Sequence, residues 1–274
     1  MTDIERRIAD LKARLDTLRA EGRGEVGVDL QRANDIELTY ASNAIEGNTL
    51  THGETAELIE HGITAGGKAL KDHQEIIDHY AALQWMREQV AARTPVNEAL
   101  VLELHRRALE TSRPDIAGTY ARFARRIAGS GVVLPNPLKV PELMSEFGAR
   151  LTKAPEGPRS AFDAHYRLVT IHPFDDGNGR TARLLTNMML LRDGYVPVSV
   201  RPEDRREYLD TLRDAQLAQD DTAPAFHAFM LRRLEAALER HVEDVSAGTE
   251  ADCGRDGPSA AQLAALAAQR GQGR

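Results

Sequence analysis

The residues whose types are best suited to chemistry lie close together in the stretch IHPFDDGNGRTARLL, which covers residues 171–185. The apolar run before it predicts a helix that ends ahead of Pro173, and the run from Arg180 predicts a second helix. The turn between them opens onto a helix N-terminus, where free N–H groups and the helix dipole attract anions. Glycines let phosphate oxygens approach the backbone. We therefore expect an anion-binding turn at Gly177, Asn178 and Gly179.

Charged side chains on both sides of this turn suit the handling of a polyphosphate. Arg180 and Arg183 lie three residues apart on one helix face, where the dipole alone would favour acids, so a bound polyanion explains them best. Asp176 supplies the hard oxygen that Mg²⁺ prefers, and His172 has a pKa suited to a general base. Together they predict metal-assisted transfer of a phosphorus-centred group. A purely structural loop and a His/Asp/Asp metal centre for hydrolysis remain alternatives.

The same residues carry a family resemblance. The string from His172 to Arg183 resembles, position for position, the motif H-x-F-x-D/E-G-N-G-R-x-x-R of the Fic (filamentation induced by cAMP) family. The resemblance extends from about residue 118 to residue 231 and includes a flap near 126–134. It implies a mainly α-helical Fic fold, a helical bundle with one β-hairpin flap. It also implies a nucleotidyltransferase that moves AMP from ATP to hydroxyl side chains of target proteins.

This resemblance gives each motif residue an expected role. His172 takes the proton from the incoming Ser, Thr or Tyr hydroxyl, and Asp176 holds Mg²⁺ between the α- and β-phosphates of ATP. The backbone of the glycine turn lines the anion hole, and the Asn178 side chain helps to stabilise the α-phosphate. Arg180 contacts the β-phosphate and Arg183 contacts the γ-phosphate.

Four further features are expected to support the site. Phe174 is an apolar anchor for the loop, and Asp175 is expected to face water. Tyr208 matches a position whose ring lines the adenine pocket in relatives, and ordinary helix packing explains it equally well. The flap from Ile127 to Leu134 is expected to dock an unknown target protein, whose extended chain would add as a strand.

A second pattern, SNAIEGN at residues 42–48, resembles the inhibitory motif S/T-x-x-x-E-G/N of the same family. Ser42 and Glu46 are one helical turn apart on the same face, and Gly47 follows as the helix stop. In relatives this glutamate pairs with the second arginine of the core motif, here Arg183. A carboxylate in a phosphate site repels the phosphate. The resemblance therefore implies an enzyme that inhibits itself.

Other activities remain open. Some relatives remove AMP from proteins with the same site, and some use UTP, GTP or CDP-choline as the nucleotide donor. An ATP-binding interaction module that transfers nothing is the non-enzymatic alternative. The intact set of His172, Asp176, Arg180 and Arg183 argues against that module.

The composition narrows the setting in which the protein works. Lys and Arg number 35 and Asp and Glu number 42, so the formal net charge of −7 argues against a nucleic-acid partner. The single cysteine, Cys253, excludes a disulfide framework and a cysteine-ligated zinc site. We find neither a signal peptide nor an apolar run of about 18 residues. The sequence therefore predicts a cytoplasmic protein without a membrane partner.

The chain divides into three predicted parts. An N-terminal helical region at 1–95 includes the inhibitory helix at about 30–46, and a Fic core domain follows at 96–240. The tail at 241–274 is small and polar, which is typical of disorder.

Local patterns predict how the N-terminal region begins. Ile and Leu recur every three or four residues from Ile4 to Leu18, which predicts either packing on the same chain or the zipper of a homodimer. Thr51 and Glu54 predict a capping box that opens a helix.

Overall fold

The computed structural model describes residues 2–126 and 129–253, and these residues form ten α-helices without a β-strand. The prediction of a mainly α-helical bundle is confirmed. The helices are α1 (Asp3–Ala20), α2 (Val28–Ile45), α3 (His52–His61), α4 (Leu70–Ala91), α5 (Glu98–Ala108), α6 (Val140–Leu151), α7 (Pro158–Ile171), α8 (Asn178–Arg192), α9 (Arg205–Ala218) and α10 (Pro224–Cys253). Short 3₁₀ turns at Pro137–Lys139 and Pro202–Asp204 precede α6 and α9.

Helix α8 lies at the centre of the bundle and packs against α4, α5 and α7. On its inner face Leu184, Leu185 and Met188 are buried, and Leu191 packs at the edge of the same core. Burial of such side chains contributes roughly 1.5–3 kcal/mol each. The first turn of α8 contains residues 178–179 of the predicted anion-binding turn and is therefore anchored directly in the core.

The Ile and Leu residues that recur along α1 from Ile4 to Leu18 pack against the rest of the same chain. Ile8 and Leu15 are buried in the main core, and α1 packs along α10. Thr2 and Glu5 form a capping box at its start. Of the two predicted uses of these Ile and Leu residues, the structure shows packing on the same chain. The homodimer stays a prediction.

Helices α2 and α3 are separated by a sharp turn with clear end signals. Gly47 has a φ of +93°, which non-glycine residues rarely adopt, and this ends the path of α2 directly after Glu46. Arg205 Nε donates a 2.7 Å hydrogen bond to the Ile45 carbonyl at this end. The predicted capping box of Thr51 and Glu54 is confirmed in α3.

The segment expected to be a β-hairpin differs from the prediction. Residues 127 and 128 lie outside the described residues. Gly129 and Gly131 turn with φ values of +72° and +69°, and the extended residues that follow pair with no strand in the described chain. Pro135 and Pro137 lack the N–H donors that a strand ladder needs.

The tail begins with helix rather than disorder. Helix α10 continues to Cys253, and Val242 and Val245 are buried against the bundle. The prediction of disorder is therefore wrong for the start of the segment 241–274, and the residues after 253 lie outside the described part of the chain. In the described residues we find no helix long and apolar enough to span a bilayer.

Candidate active site

The candidate site is built around the loop that joins α7 to α8. His172 ends α7 in the left-handed region, with φ of +51°, and its N–H still bonds the Leu168 carbonyl at 2.9 Å. A residue before proline is pushed out of the helical region, so Pro173 explains why the helix ends here. The chain then turns again at Gly177, with φ of +76°, and enters α8 at Asn178.

Phe174 and Asn178 hold this loop in shape. Phe174 is fully buried, as an anchor should be. Its N–H donates to Asn178 Oδ1 at 3.0 Å, and Asn178 Nδ2 donates to the Phe174 carbonyl at 2.8 Å. Asn178 was expected to stabilise the α-phosphate. In the structure its side chain bonds both backbone groups of Phe174 and so stabilises the loop. The second hydrogen of Nδ2 remains for a phosphate oxygen.

His105 on α5 supports the loop through contacts with Phe174 and Asp176, and its role was not predicted from the sequence. Its ring stacks on Phe174 with centroids 3.6 Å apart and planes 5° apart. Its Nδ1 accepts from the Gly118 N–H at 2.9 Å, so Nε2 carries the hydrogen and donates to the Asp176 carbonyl at 3.0 Å. Burial lowers the pKa of His105 to about 4, which keeps the ring neutral. A histidine on the inner face of a helix gives no signal in one sequence.

Gly177 cannot be replaced without strain, which gives a first prediction. A Cβ there would lie 2.5 Å from Leu109 Cδ1, and the positive φ disfavours any side chain. We expect Gly177→Ala to lower the free energy of unfolding by about 1–3 kcal/mol. Urea denaturation measures this, with Gly53→Ala, whose Cβ meets nothing within 4 Å, as the control. Equal stability of Gly177→Ala and the unmodified protein would contradict the described loop.

Asp176 presents a carboxylate beside the glycine turn. Oδ1 accepts the Gly177 N–H at 2.6 Å and lies 3.3 Å from Arg180 NH2, while Oδ2 lies 3.9 Å from Arg113 NH1. Burial works to raise the pKa of Asp176, but the charge of Arg180 and the Gly177 N–H outweigh it and lower the pKa. The group is therefore an anion at neutral pH. Asp175 is exposed, as expected, and also lies 3.6 Å from Arg125 Nε.

Arg180 is 1% exposed and is enclosed by carboxylates. Besides Asp176, the buried Glu75 of α4 lies 3.5 Å from its NH1. Glu75 also accepts a 3.1 Å hydrogen bond from Asn48, directly after the inhibitory motif. The two carboxylates offset part of the cost of burying this guanidinium, although its Nε and NH1 donate no hydrogen bond within the described residues. Glu75 was missed because its link to Arg180 spans more than a hundred residues of sequence.

Arg183 is bound by the inhibitory motif, as the resemblance implies. Its Nε donates to Ser42 Oγ at 2.9 Å, and its NH2 donates to the Ser42 carbonyl at 2.8 Å and to Glu46 Oε1 at 2.7 Å. A Cβ on Gly179 would overlap Glu46 Oε1. The Glu46 carboxylate therefore lies against the first turn of α8, where an anion would bind.

Tyr208 borders the cavity described below, but almost none of its surface is exposed. It is 1% exposed, and its ring packs near Phe226 and Phe229, with centroids 6.3 and 6.1 Å away. The alternative of helix packing therefore describes the ring well. The hydroxyl lies 3.5 Å from Arg183 NH1.

A cavity of about 530 Å³ joins these parts. Its wall includes Glu46, His172, Asn178, Gly179 and Arg183 together with residues of α9. His172 Nδ1 lies 3.3 Å from the Val169 carbonyl, which makes Nδ1 the donor and leaves Nε2 with a lone pair. The cavity wall thus combines a base, the start of α8 and the guanidinium of Arg183, whereas Arg180 and Asp176 do not line the cavity.

Comparison with known proteins gives a consistent identification. The model of the Fic/DOC family matches residues 95–190. The protein adenylyltransferase fic-1 of Caenorhabditis briggsae is 34% identical over 207 residues, which are 74% of this chain and 40% of that protein. The protein adenylyltransferase Fic of Nematostella vectensis is 36% identical over 74% of this chain and 48% of its own length. The chain thus spans less than half the length of these curated relatives.

Solved structures agree with the sequence comparison. A Fic domain containing signaling protein from Bacteroides thetaiotaomicron has a TM-score of 0.77 and 29% identity, and the match covers 88% of this chain and 97% of that one. A fragment of Fic-1 from Caenorhabditis elegans has a TM-score of 0.75 and 30% identity, over 88% of this chain and 71% of that one. Fold, motif and sequence identity agree, and the chain belongs to the Fic/DOC family.

Proposed function

We propose that this protein is an autoinhibited protein adenylyltransferase, which transfers AMP from ATP to Ser, Thr or Tyr hydroxyls of target proteins and of itself. The observation that carries the proposal is the 2.7 Å contact between Glu46 and Arg183 in the same cavity as His172. A site that bound no anion would not need an internal carboxylate at a helix N-terminus beside two arginines. The two curated relatives named above, both protein adenylyltransferases, add support.

In the proposed reaction His172 Nε2 accepts the proton of the target hydroxyl. The hydroxyl oxygen then attacks the α-phosphorus of ATP, the bond from the α-phosphorus to the bridging oxygen breaks, and pyrophosphate leaves. Positioning and charge stabilisation carry most of such a reaction. The left-handed turn at His172 aims the ring into the cavity instead of along α7.

The residues of the turn fit the phosphates and a magnesium ion. N–H groups at the start of α8 and the guanidinium of Arg180 would bind phosphate oxygens. Asp176 is an anionic oxygen donor next to this turn, and Mg²⁺ binds through one or two carboxylates together with substrate phosphates. The described residues contain no group of three or more His, Cys, Asp or Glu side chains that could hold a metal ion. A bound Mg²⁺ would neutralise part of the negative charge of the phosphates.

Inhibition follows from competition for Arg183. Its guanidinium already has Ser42 and Glu46 as partners, so a γ-phosphate would have to displace the carboxylate. Glu46 also leaves negative charge against the first turn of α8, close to the phosphate position. Two anions that share one phosphate site repel each other.

Gln216 lies on the cavity wall and suits a base with an exocyclic amino group, as in adenine, cytosine and guanine. Gln216 Nε2 donates to the Val169 carbonyl at 3.3 Å and to Thr170 Oγ1 at 3.2 Å. Its Oε1 is then an acceptor at the cavity wall, which suits such an amino group. UTP, GTP and CDP-choline are the alternative donors that the test must include.

Intact mass spectrometry tests the proposal. The Glu46→Gly protein with ATP and Mg²⁺ should gain the mass of AMP, whereas UTP, GTP and CDP-choline should label it more slowly. A host lysate with tagged ATP extends the test to target proteins and to the residue type modified. If Glu46→Gly binds ATP but labels neither itself nor any lysate protein, the ATP-binding interaction module replaces the transferase.

Removal of AMP is the second candidate, because Glu46 and His172 line the same cavity and a carboxylate there could orient a water. Incubating an AMP-modified target with the unmodified protein and Mg²⁺ decides this. Loss of AMP that requires Glu46 would favour removal, and a stable modification would favour transfer.

The pH dependence of transfer gives a further prediction. Burial chiefly, and then the charge of Arg125, lower the pKa of His172 below its ordinary 6.5, while Glu46 and Asp176 act to raise it. In Glu46→Gly one raising charge is gone, so the pKa falls further. We expect the acid limb of kcat/KM for Glu46→Gly to turn below pH 6.5, because the neutral base persists there. An inflection above pH 7 would contradict this.

We also propose the setting and partners of the enzyme. The target would dock along the flap, of which Ile127 and Ala128 lie outside the described residues and Val133 is 92% exposed. A reducing cytoplasm fits the single Cys253, and the homodimer remains part of the proposal. No membrane or nucleic-acid partner is proposed. Light scattering of the purified protein measures the oligomeric state.

A further inference from the structure

A buried chain of hydrogen bonds runs from the core to Arg183, and none of the roles above uses it. His165 of α7 is 0% exposed and lies between two hydroxyl groups. Its Nδ1 lies 2.9 Å from Thr186 Oγ1, and its Nε2 lies 2.8 Å from the Tyr208 hydroxyl. The same hydroxyl lies 3.5 Å from Arg183 NH1.

The direction of each bond in this chain is determined. Thr186 Oγ1 donates its hydrogen to the Ala182 carbonyl at 2.7 Å, so it accepts from the Nδ1–H of His165. His165 Nε2 then carries the lone pair and accepts the hydrogen of the Tyr208 hydroxyl. The remaining lone pairs of that oxygen are available to Arg183. Burial, with the charge of Arg183, lowers the pKa of His165 to about 3, so the ring stays neutral.

We propose that Tyr208, held by His165, is a positioning residue that orients the Arg183 guanidinium toward the terminal phosphate of the nucleotide. The proposal rests on the transferase function above and gives Tyr208 a role at the phosphate end of the site. It replaces the expectation that the Tyr208 ring recognises adenine. It also brings in His165 and Thr186, which carry no role in the proposed reaction.

The other partners of Arg183 show why a hydrogen bond from a fixed position such as the Tyr208 hydroxyl matters. Ser42 and Glu46 both belong to the α2 end, which must yield when a γ-phosphate binds. Tyr208 lies on α9 and is fixed by the aromatic core around Phe226. A guanidinium that loses its Glu46 contact therefore keeps one hydrogen bond that does not depend on α2. This bond limits the rotamers of Arg183 and lowers the entropy cost of phosphate binding.

Calorimetry with ATP and AMP separates this role from a general effect on the fold. The parent is the Glu46→Gly, His172→Ala protein, which should bind ATP without transferring it. Tyr208→Phe in this parent should weaken ATP binding about tenfold, as expected for a lost hydrogen bond to a charged group. AMP lacks the terminal phosphates, so its affinity should not change. His165→Gln should preserve ATP binding, because its amide oxygen can accept the Tyr208 hydrogen.

The controls define the contrary outcomes. Tyr166→Phe removes a hydroxyl from another buried tyrosine, 2% exposed, and should change neither affinity. Unchanged ATP binding in Tyr208→Phe, or equal losses for ATP and AMP, would overturn the inference alone. A parent that binds no ATP would overturn both the inference and the proposed function. Should Tyr208→Phe not fold, Thr186→Val takes its place, with the same selective loss for ATP expected and an equal affinity contradicting it.

Discussion

Replacing Glu46 by Gly is expected to raise the rate at which the protein labels itself with AMP by at least about tenfold. The change removes the carboxylate that lies 2.7 Å from Arg183 NH2, so the guanidinium is released for the γ-phosphate. A like charge at roughly 4 Å costs about 4 kcal/mol in a surface-like dielectric, which makes tenfold a conservative expectation. The rate of mass gain with ATP and Mg²⁺ measures the effect.

Two substitutions separate charge from shape in this prediction. Glu46→Gln keeps the size of the side chain and a hydrogen bond to Arg183 but removes the negative charge, so its labelling rate should fall between those of the unmodified protein and Glu46→Gly. Ser42→Ala removes one hydrogen bond to Arg183 and leaves the charge, so it should have the smaller effect. A labelling rate for Glu46→Gly no higher than that of the unmodified protein would show that the ion pair does not inhibit.

Replacing His172 by Ala in the Glu46→Gly protein is expected to reduce labelling by a factor on the order of 10²–10⁴, which is the usual contribution of a general base. The ring is the group in the cavity whose Nε2 has a free lone pair beside the anion-binding turn. The phosphate contacts come from other residues, so ATP affinity should be nearly unchanged. Labelling kinetics and calorimetry on the same preparation distinguish the two effects.

The outcomes for His172 are decisive in both directions. Labelling at the rate of the Glu46→Gly parent would remove His172 from its assigned role. A large loss of ATP affinity would show that the residue supports the loop rather than the chemistry. His172→Gln serves as a second variant, since it keeps a polar side chain at the left-handed position without a proton acceptor of similar basicity.

The sequence predicted those parts of the site that lie within one short segment. The end of α7 and the anion-binding turn beside His172 and Asp176 follow from local rules on proline, glycine and helix ends, whereas the role of Phe174 came from the family resemblance. Even the contact between Glu46 and Arg183 was implied, because a family motif marks both ends. Local patterns are reliable when one stretch of chain contains all the partners.

Partners from distant helices were not predictable. His105 and Glu75 contact the loop and Arg180 across long sequence separations, and each lies on the inner face of an ordinary helix. Tyr208 was assigned by position, and only packing shows that its ring is enclosed and its hydroxyl faces Arg183. Such contacts arise from how helices cross, which one sequence does not specify.

The tail shows a different kind of error. Leu238, Val242 and Val245 are spaced by four and three residues, which is the period of a helix face, and all three are buried. The small, polar composition after residue 246 dominated the interpretation of the whole segment. The boundary at residue 240 was placed by composition and divides helix α10. The spacing of the apolar residues would have predicted that the helix continues past it.

Calorimetric titration of ATP and AMP into the unmodified protein and into Glu46→Gly tests the central claim most directly. The claim is that Glu46 occupies Arg183 and so excludes the γ-phosphate. We predict that Glu46→Gly binds ATP at least about tenfold more tightly than the unmodified protein does, while AMP binds both equally, since only ATP reaches Arg183. Equal ATP affinity of the two proteins would contradict the claim.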